Sequence, residues 1–71
     1  MNQRNLVKRL TIENGGKIMI TQNKAAQLLG MGRESFAEMM QGWSYYPGGK
    51  GGAKNYLVDD VASAYLLGVR K

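Results

Sequence analysis

The segment spanning residues 21–40 constrains the fold of this chain most strongly. Its apolar residues recur at helical spacing on both sides of Gly30, which predicts two short helices joined by a tight turn. Helices that cross closely need a small residue where they touch, and Ala26 supplies it. The turn needs a residue that adopts positive φ without strain, as Gly30 does. Phe36, Met39 and Met40 then lie on the inner side of the second helix.

This arrangement is that of a helix-turn-helix, a motif that places its second helix in the major groove of DNA. Thr21 predicts where the first helix begins, because its hydroxyl can accept a hydrogen bond from a backbone N–H of the first turn. Lys24 stands where a capping box would have Glu or Gln, so only one of the two capping bonds is expected. Duplex DNA is therefore the first candidate partner.

The composition limits the other classes of function. A length of 71 residues predicts one small domain, and the chain contains no cysteine and no histidine. We therefore expect no disulfide, no zinc site of the usual ligands, no cofactor and no histidine acid–base catalyst. No nucleophile has an obvious base partner, so the sequence predicts a protein that is not an enzyme.

Charge and hydropathy indicate the compartment and the kind of partner. Ten Lys and Arg residues against five Asp and Glu give a net charge of +5, which favours a polyanionic partner. No apolar run is long enough to predict a membrane span, and the amino terminus does not have the pattern of a signal peptide. The sequence predicts a cytoplasmic protein that binds nucleic acid rather than a membrane.

Helical and extended patterns alternate around the motif. The segment 2–14 is predicted to be a helix that Gly15 and Gly16 end, and 17–20 is a short apolar run typical of a strand. The second helix of the motif should run over about 33–41. The apolar positions of the first helix are Leu6, Val7 and Leu10.

A β-hairpin is predicted after the motif. Residues 43–46 and 54–58 are rich in aromatic and β-branched residues, and they flank the glycine-rich segment 47–53. We call this hairpin, residues 43–58, the wing. Aromatic residues in such a hairpin are expected to serve packing rather than stacking on single-stranded bases.

A last helix is predicted at about residues 60–67. Asp59 is expected to cap it, Asp60 suits the positive helix start, and Gly68 marks its end. The positions assigned to its apolar side are Val61, Ala64, Tyr65 and Leu66.

This order of elements resembles the winged helix-turn-helix of the MerR-like excisionase family over residues 18–66. The motifs that carry the resemblance are Ala25-Ala26-x-x-Leu29-Gly30-Met31-Gly32-Arg33 and Tyr56-Leu57-Val58-Asp59-Asp60-Val61. It implies a small α+β fold: a winged helix-turn-helix domain over residues 1–71, with the helix-turn-helix at about 21–41, an extra N-terminal helix and a glycine-rich β-hairpin wing. Two features differ from the family form, namely Gly32 in place of a Ser or Thr cap and a longer wing.

The resemblance also implies an accessory role in site-specific recombination. Excisionases of phages and integrative elements bind adjacent DNA sites, bend the duplex and direct an integrase, of the tyrosine or serine type, toward excision. Cooperative self-association on DNA would belong to this role. A small transcription regulator is the alternative within DNA binding, and a winged-helix module that binds another protein is the alternative from a different class.

The helical period assigns an outer side to the second helix of the motif. Arg33, at the helix start, can donate two hydrogen bonds to guanine, and Gln41 can pair with adenine. Glu34 and Glu38 fit an ordinary solvated surface better than contact with DNA. The outward set predicted to face the groove is Arg33, Glu34, Ser35, Ala37, Glu38 and Gln41.

Three lysines are predicted to contact DNA: Lys24 at the backbone, and Lys50 and Lys54 at phosphates or in the minor groove. Lys24 lies near the start of the first motif helix, while Lys50 and Lys54 bracket the wing tip, where neighbouring glycines allow close approach to the duplex. The segment 50–55 has some likeness to a phosphate-binding loop. It lacks the Ser or Thr after the lysine and the following helix, so nucleotide binding is not expected.

Overall fold

The computed structural model describes residues 2–48 and 53–68. Within these ranges the chain forms four helices and a three-stranded antiparallel sheet, a small α+β domain as predicted. No helix in the described ranges has both the length and the apolar character needed to span a membrane. The elements in chain order are α1 (Gln3–Glu13), β1 (Met19–Thr21), α2 (Gln22–Leu29), α3 (Arg33–Met39), β2 (Tyr46–Pro47), β3 (Lys54–Leu57) and α4 (Val58–Leu67).

Helix α1 confirms the predicted first helix. It begins after Asn2, whose side-chain oxygen accepts a hydrogen bond from the Asn5 N–H at 2.8 Å. It ends where Gly15 and Gly16 adopt φ of 73° and 82°, the left-handed backbone expected of that pair. The Asn14 amide then donates to the Met19 carbonyl at 2.6 Å. This bond ties the end of α1 to the first strand.

The sheet has the strand order β1-β3-β2, so β3 lies in the middle. Ile20 of β1 pairs with Tyr56, and Tyr46 of β2 pairs with Asn55. Strand β1 thereby joins the segment before the helix pair to the segment after it. Along the chain, helices α2 and α3 lie between β1 and β3.

The first strand of the wing differs from the prediction. It comprises Tyr46–Pro47 rather than 43–46. Gly42 has φ of 91° and the Trp43 N–H donates to the Met40 carbonyl at 3.0 Å, so a turn occupies the predicted strand start. Trp43 is buried in the core as a result. Pro47 is tolerated because β2 is an edge strand.

Helix α4 begins earlier than predicted, and Asp59 does not cap it. The N-cap position is Leu57, which makes no side-chain capping bond. The chain passes from β3 into the helix without a loop, and the Val58 N–H donates to the Ile18 carbonyl at 2.8 Å. The Ile18 carbonyl, just before β1, thus satisfies one of the backbone donors at the helix start that have no partner within the helix. Asp59 and Asp60 lie in the first turn, where their charge suits the helix dipole.

The core is shared by all four helices and the sheet. The rings of Phe36 and Tyr56 meet edge to face, with their centroids 5.8 Å apart. The prediction that Tyr65 lies on the apolar side of α4 is wrong, because its side chain is 45% exposed. The most completely buried large side chains are Phe36, Ile20, Met40 and Val61.

Candidate nucleic-acid interface

The junction between α2 and α3 is built as the sequence predicts. The Thr21 hydroxyl accepts a hydrogen bond from the Lys24 N–H at 3.2 Å. Gly30 ends α2 with φ of 68°, and the Met31 N–H donates back to the Ala26 carbonyl at 2.9 Å. Ala26 is buried. A capped first helix, a small buried residue and a left-handed glycine therefore fix the start of the second helix.

Helix α3 is shorter than predicted, ending at Met39 rather than at Gln41. The Gln41 N–H donates to the Glu38 carbonyl at 3.2 Å, a tighter turn than the α-helix, and Gly42 follows with positive φ. The inner side is close to that expected, because Phe36 and Met40 are buried and Met39 is half-buried. Gln41 is exposed, but it lies in the turn beyond the helix.

The outer side of α3 is open to solvent. All five of its members predicted to face outward are exposed, namely Arg33, Glu34, Ser35, Ala37 and Glu38. Gly32 precedes the helix at the N-cap with φ of −71° and offers no side-chain cap. The first-turn N–H groups of α3 therefore receive no capping bond from that residue, and Arg33 is the first side chain at this end.

The starts of α2 and α3 border one shallow hollow. It is lined by Gln22 from the first residue of α2 and by Arg33, Glu34 and Ala37 from the first turns of α3. Gln22 was not among the predicted contacts. No local sequence signal points to Gln22, because its place beside Arg33 depends on how α2 and α3 cross.

The base of the wing is linked to α3 through aromatic rings. The Lys54 ammonium lies over the Tyr45 ring, 4.8 Å from its centroid, and the Tyr45 and Tyr56 centroids are 6.3 Å apart. Tyr56 in turn meets Phe36 on the inner side of α3. Burial, together with the neighbouring Tyr45, raises the pKa of the Tyr56 hydroxyl. Lys54 is therefore positioned by a chain of ring contacts that begins in the core.

The predicted backbone contacts are distributed over two elements. Lys24 is exposed in the first turn of α2, and Lys54 is exposed on β3. Lys50 lies outside the described residues. Within the wing, the Gly48 N–H donates to the Ala53 carbonyl at 3.3 Å.

Comparisons with known proteins provide no relative from which a role could be carried over. No family model, curated protein or solved structure matches the chain. The case for a function therefore depends on the geometry of these residues. Chemically, the exposed guanidinium, amide and ammonium groups can donate hydrogen bonds to phosphate oxygens and base edges.

Proposed function

We propose that this chain is a winged helix-turn-helix protein that binds duplex DNA, with α3 in the major groove and the wing beside it. The order of helices and strands supports this proposal, as does the pairing of β1 with β3, which sets the wing next to the helix pair. The net charge of +5 supplies the attraction to a polyanion. The alternative, a protein-binding module, does not explain the exposed basic residues Lys24, Arg33 and Lys54.

The shared hollow at the starts of α2 and α3 carries the proposal. A helix-turn-helix contacts the DNA backbone with its first helix while the N-terminal residues of the second reach base edges. Gln22 and Arg33 border the same hollow, so one phosphate strand and the adjoining groove can be contacted together. We assign backbone contact to Gln22 and Lys24, and base contact to Arg33.

The wing contributes a second backbone contact in this proposal. The Lys54 ammonium lies over the Tyr45 ring, a contact worth about 0.5–1 kcal/mol at an exposed site, which favours the orientation in which it can meet a phosphate. Contacts of this kind position a protein on DNA without reading sequence. Glu34 lines the same hollow as Arg33, where it can accept a hydrogen bond from cytosine N4 or orient the Arg33 guanidinium. Glu38 is assigned to the solvated side of α3.

Binding and its salt dependence test this proposal. The protein should retard a mixed-sequence duplex, and log affinity should fall against log salt with a slope of about −4 to −5, as expected for roughly five phosphate contacts. Replacing Lys24 and Lys54 together by Ala should weaken binding to all sequences and flatten the slope by about two units. Lys17→Ala is the matched control, because Lys17 precedes β1 at the end of the sheet away from the wing tip. No retardation at low salt, or a slope near zero, would refute the proposal.

We further propose an excisionase-like accessory role, in which several copies bind and bend DNA for an integrase of the tyrosine or serine type. Helix α3 has seven residues and spans about 10 Å, so one copy reads few base pairs and gains specificity by binding beside others. A circular-permutation gel shift should reveal a bend, and deletion of the gene should lower excision frequency. A single occupied promoter site without a bend, and unchanged excision, would favour a transcription regulator instead.

A further inference from the structure

The turn that joins α1 to β1 contains a chemically reactive pair of residues. The chain has five asparagines, and Asn14 is the one that a glycine follows, at position 15. An asparagine side chain reacts with the next peptide nitrogen most readily when that next residue is glycine, because no Cβ obstructs the approach. The product is a five-membered cyclic imide, which water opens to an acid. The local structure around Asn14 therefore determines whether this amide survives.

The reaction consumes only water and releases ammonia. The Gly15 nitrogen loses its proton to solvent and bonds to the Asn14 Cγ, while the bond from Cγ to the side-chain nitrogen breaks and ammonia leaves. Water then adds to one of the two imide carbonyls. Opening at one carbonyl gives an aspartate, and opening at the other gives an isoaspartate, in which the main chain runs through Cγ. Either product has a carboxylate in place of the neutral amide.

In the folded chain, hydrogen bonds hold both reacting groups away from each other. The Asn14 side-chain nitrogen donates to the Met19 carbonyl at 2.6 Å and to the Lys17 carbonyl at 3.2 Å, so both of its N–H groups are used. The Gly15 N–H donates to the Ile12 carbonyl at 3.1 Å. Asn14 has ψ of 19°, which turns the Gly15 nitrogen away from Cγ. Ring closure therefore requires a backbone rotation that breaks the Gly15 bond.

A carboxylate at this position conflicts with its surroundings. Both partners of the Asn14 amide are carbonyl oxygens, and a carboxylate can accept hydrogen bonds but donate none. Asn14 is also the C-cap of α1, at the negative end of the helix dipole, where an added negative charge is unfavourable. Conversion thus replaces two attractive contacts with repulsion between oxygen atoms.

We propose that the pair Asn14 and Gly15 is a deamidation site, which the folded chain protects and whose conversion releases β1 from the end of α1. Helix α1 keeps its contact with α4, where the Gln3 side-chain amide donates to the Ser63 hydroxyl at 2.6 Å. The damage is therefore confined to the turn and to β1, which leads directly into α2. The modification is independent of DNA binding, since every atom involved lies in the turn or in β1.

Conversion in the folded and in the unfolded chain tests the protection. The whole chain is incubated in mildly alkaline buffer with or without concentrated guanidinium chloride, and the tryptic peptide 10–17 is then resolved by mass spectrometry into amide, aspartate and isoaspartate forms. Conversion should be at least about tenfold slower in the folded chain, because it waits for local opening of the turn. The tryptic peptide 55–70 is the internal control, since its Asn55 precedes a tyrosine and should stay unconverted. Equal rates in the two samples, or no conversion of the unfolded chain, would overturn the proposal.

Substitution at position 14 tests the consequence of conversion. Asn14→Asp should lower the melting temperature by about 5–10 °C, because two carbonyls lose their donor and face a carboxylate. Asn14→Ala should lower it by less, since alanine removes the donor without adding a charge. Asn23→Asp is the matched control, because Asn23 is exposed on α2, and it should melt within about 2 °C of the wild type. An Asn14→Asp protein that melts with the wild type, or with Asn14→Ala, would contradict the release of β1.

Discussion

Helix α3, of seven residues, and helix α4, of ten, are used in opposite ways. In α4, five residues are buried, among them Val61 and Ala62, which have no exposed surface. In α3 only Phe36 is buried within the helix, and most of the remaining side chains face solvent. Burial of this kind fixes α4 as part of the scaffold. The sequence of α3 is constrained by packing at few positions, so its other residues are free to serve recognition.

Helix α3 also depends on its neighbours for stability. A seven-residue helix is not stable alone in water, because helix nucleation is unfavourable and few hydrogen bonds follow it. Helix α3 is therefore held in place by Phe36, by Met40 directly after it and by the junction with α2. Changes at these contacts should damage the fold, whereas changes on the outer side should alter only binding.

The largest expected effect on stability is at the junction between α2 and α3. Ala26→Glu should unfold the domain, because it forces an unpaired charge between two helices, and a chain of 71 residues has only about 4–10 kcal/mol of stability to lose. Gln27→Glu is the matched control, since Gln27 is the exposed neighbour in the same helix. Far-ultraviolet circular dichroism distinguishes the two variants. A cooperatively folded Ala26→Glu protein would contradict the packing described at this junction.

Phe36→Ala should cost about 3–5 kcal/mol in the free energy of unfolding, as large-to-small changes of buried aromatic residues do. Glu38→Ala, on the outer side of the same helix, should change that free energy by less than about 0.5 kcal/mol. Urea denaturation measures both. Equal effects from the two substitutions would remove the distinction between the inner and outer sides of α3.

Glycines on either side of Met31 should respond in opposite directions. Gly30→Ala should destabilise the domain by about 1–2 kcal/mol, because alanine is strained at φ of 68°. Gly32→Ser should stabilise it by a few tenths of a kcal/mol, since φ there is −71°, no atom within 4 Å obstructs a Cβ, and serine can cap α3. Thermal melts of the two variants test the pair. A loss of stability in Gly32→Ser would show that the N-cap assignment is incorrect.

A smaller effect is expected from the titration of Tyr56. Its pKa in the folded protein is raised above the ordinary 10.0, first by burial and then by Tyr45. The folded state thus keeps the proton that the unfolded state loses, so its contribution is complete below pH 10.0 and declines as pH rises beyond that value. Stability measured from pH 8 to about 11.5 should fall less in Tyr56→Phe than in the wild type. Parallel curves for the two proteins would contradict a buried, protonated Tyr56.

Local rules predicted much of this fold from sequence. The caps at Thr21, Gly30 and Gly68 and the glycine pair after α1 each depend on one residue's own backbone or side chain, and all are present in the structure. The outer side of α3 followed from helical period because the helix is amphipathic.

The errors arose where tertiary contacts replaced local signals. Asp59 had the residue type of a cap, but β3 passes directly into α4 at Val58, whose N–H bonds the Ile18 carbonyl 40 residues away, so Asp59 lies inside the first turn. Trp43 is a residue type that favours strands, but its side chain is buried in the core, whereas the residues of the edge strand β2 are exposed. Gln22 was missed because its place beside Arg33 depends on how α2 and α3 cross.

Arg33→Ala provides the most direct test of the central claim, that the outer side of α3 reads duplex DNA. Fluorescence anisotropy with the best site obtained by selection should show binding weakened by about 1–3 kcal/mol, while the free energy of unfolding stays within about 0.5 kcal/mol of the wild type. Discrimination between that site and a mixed-sequence duplex should fall by the same factor. Wild-type affinity and discrimination in the Arg33→Ala protein would contradict the claim.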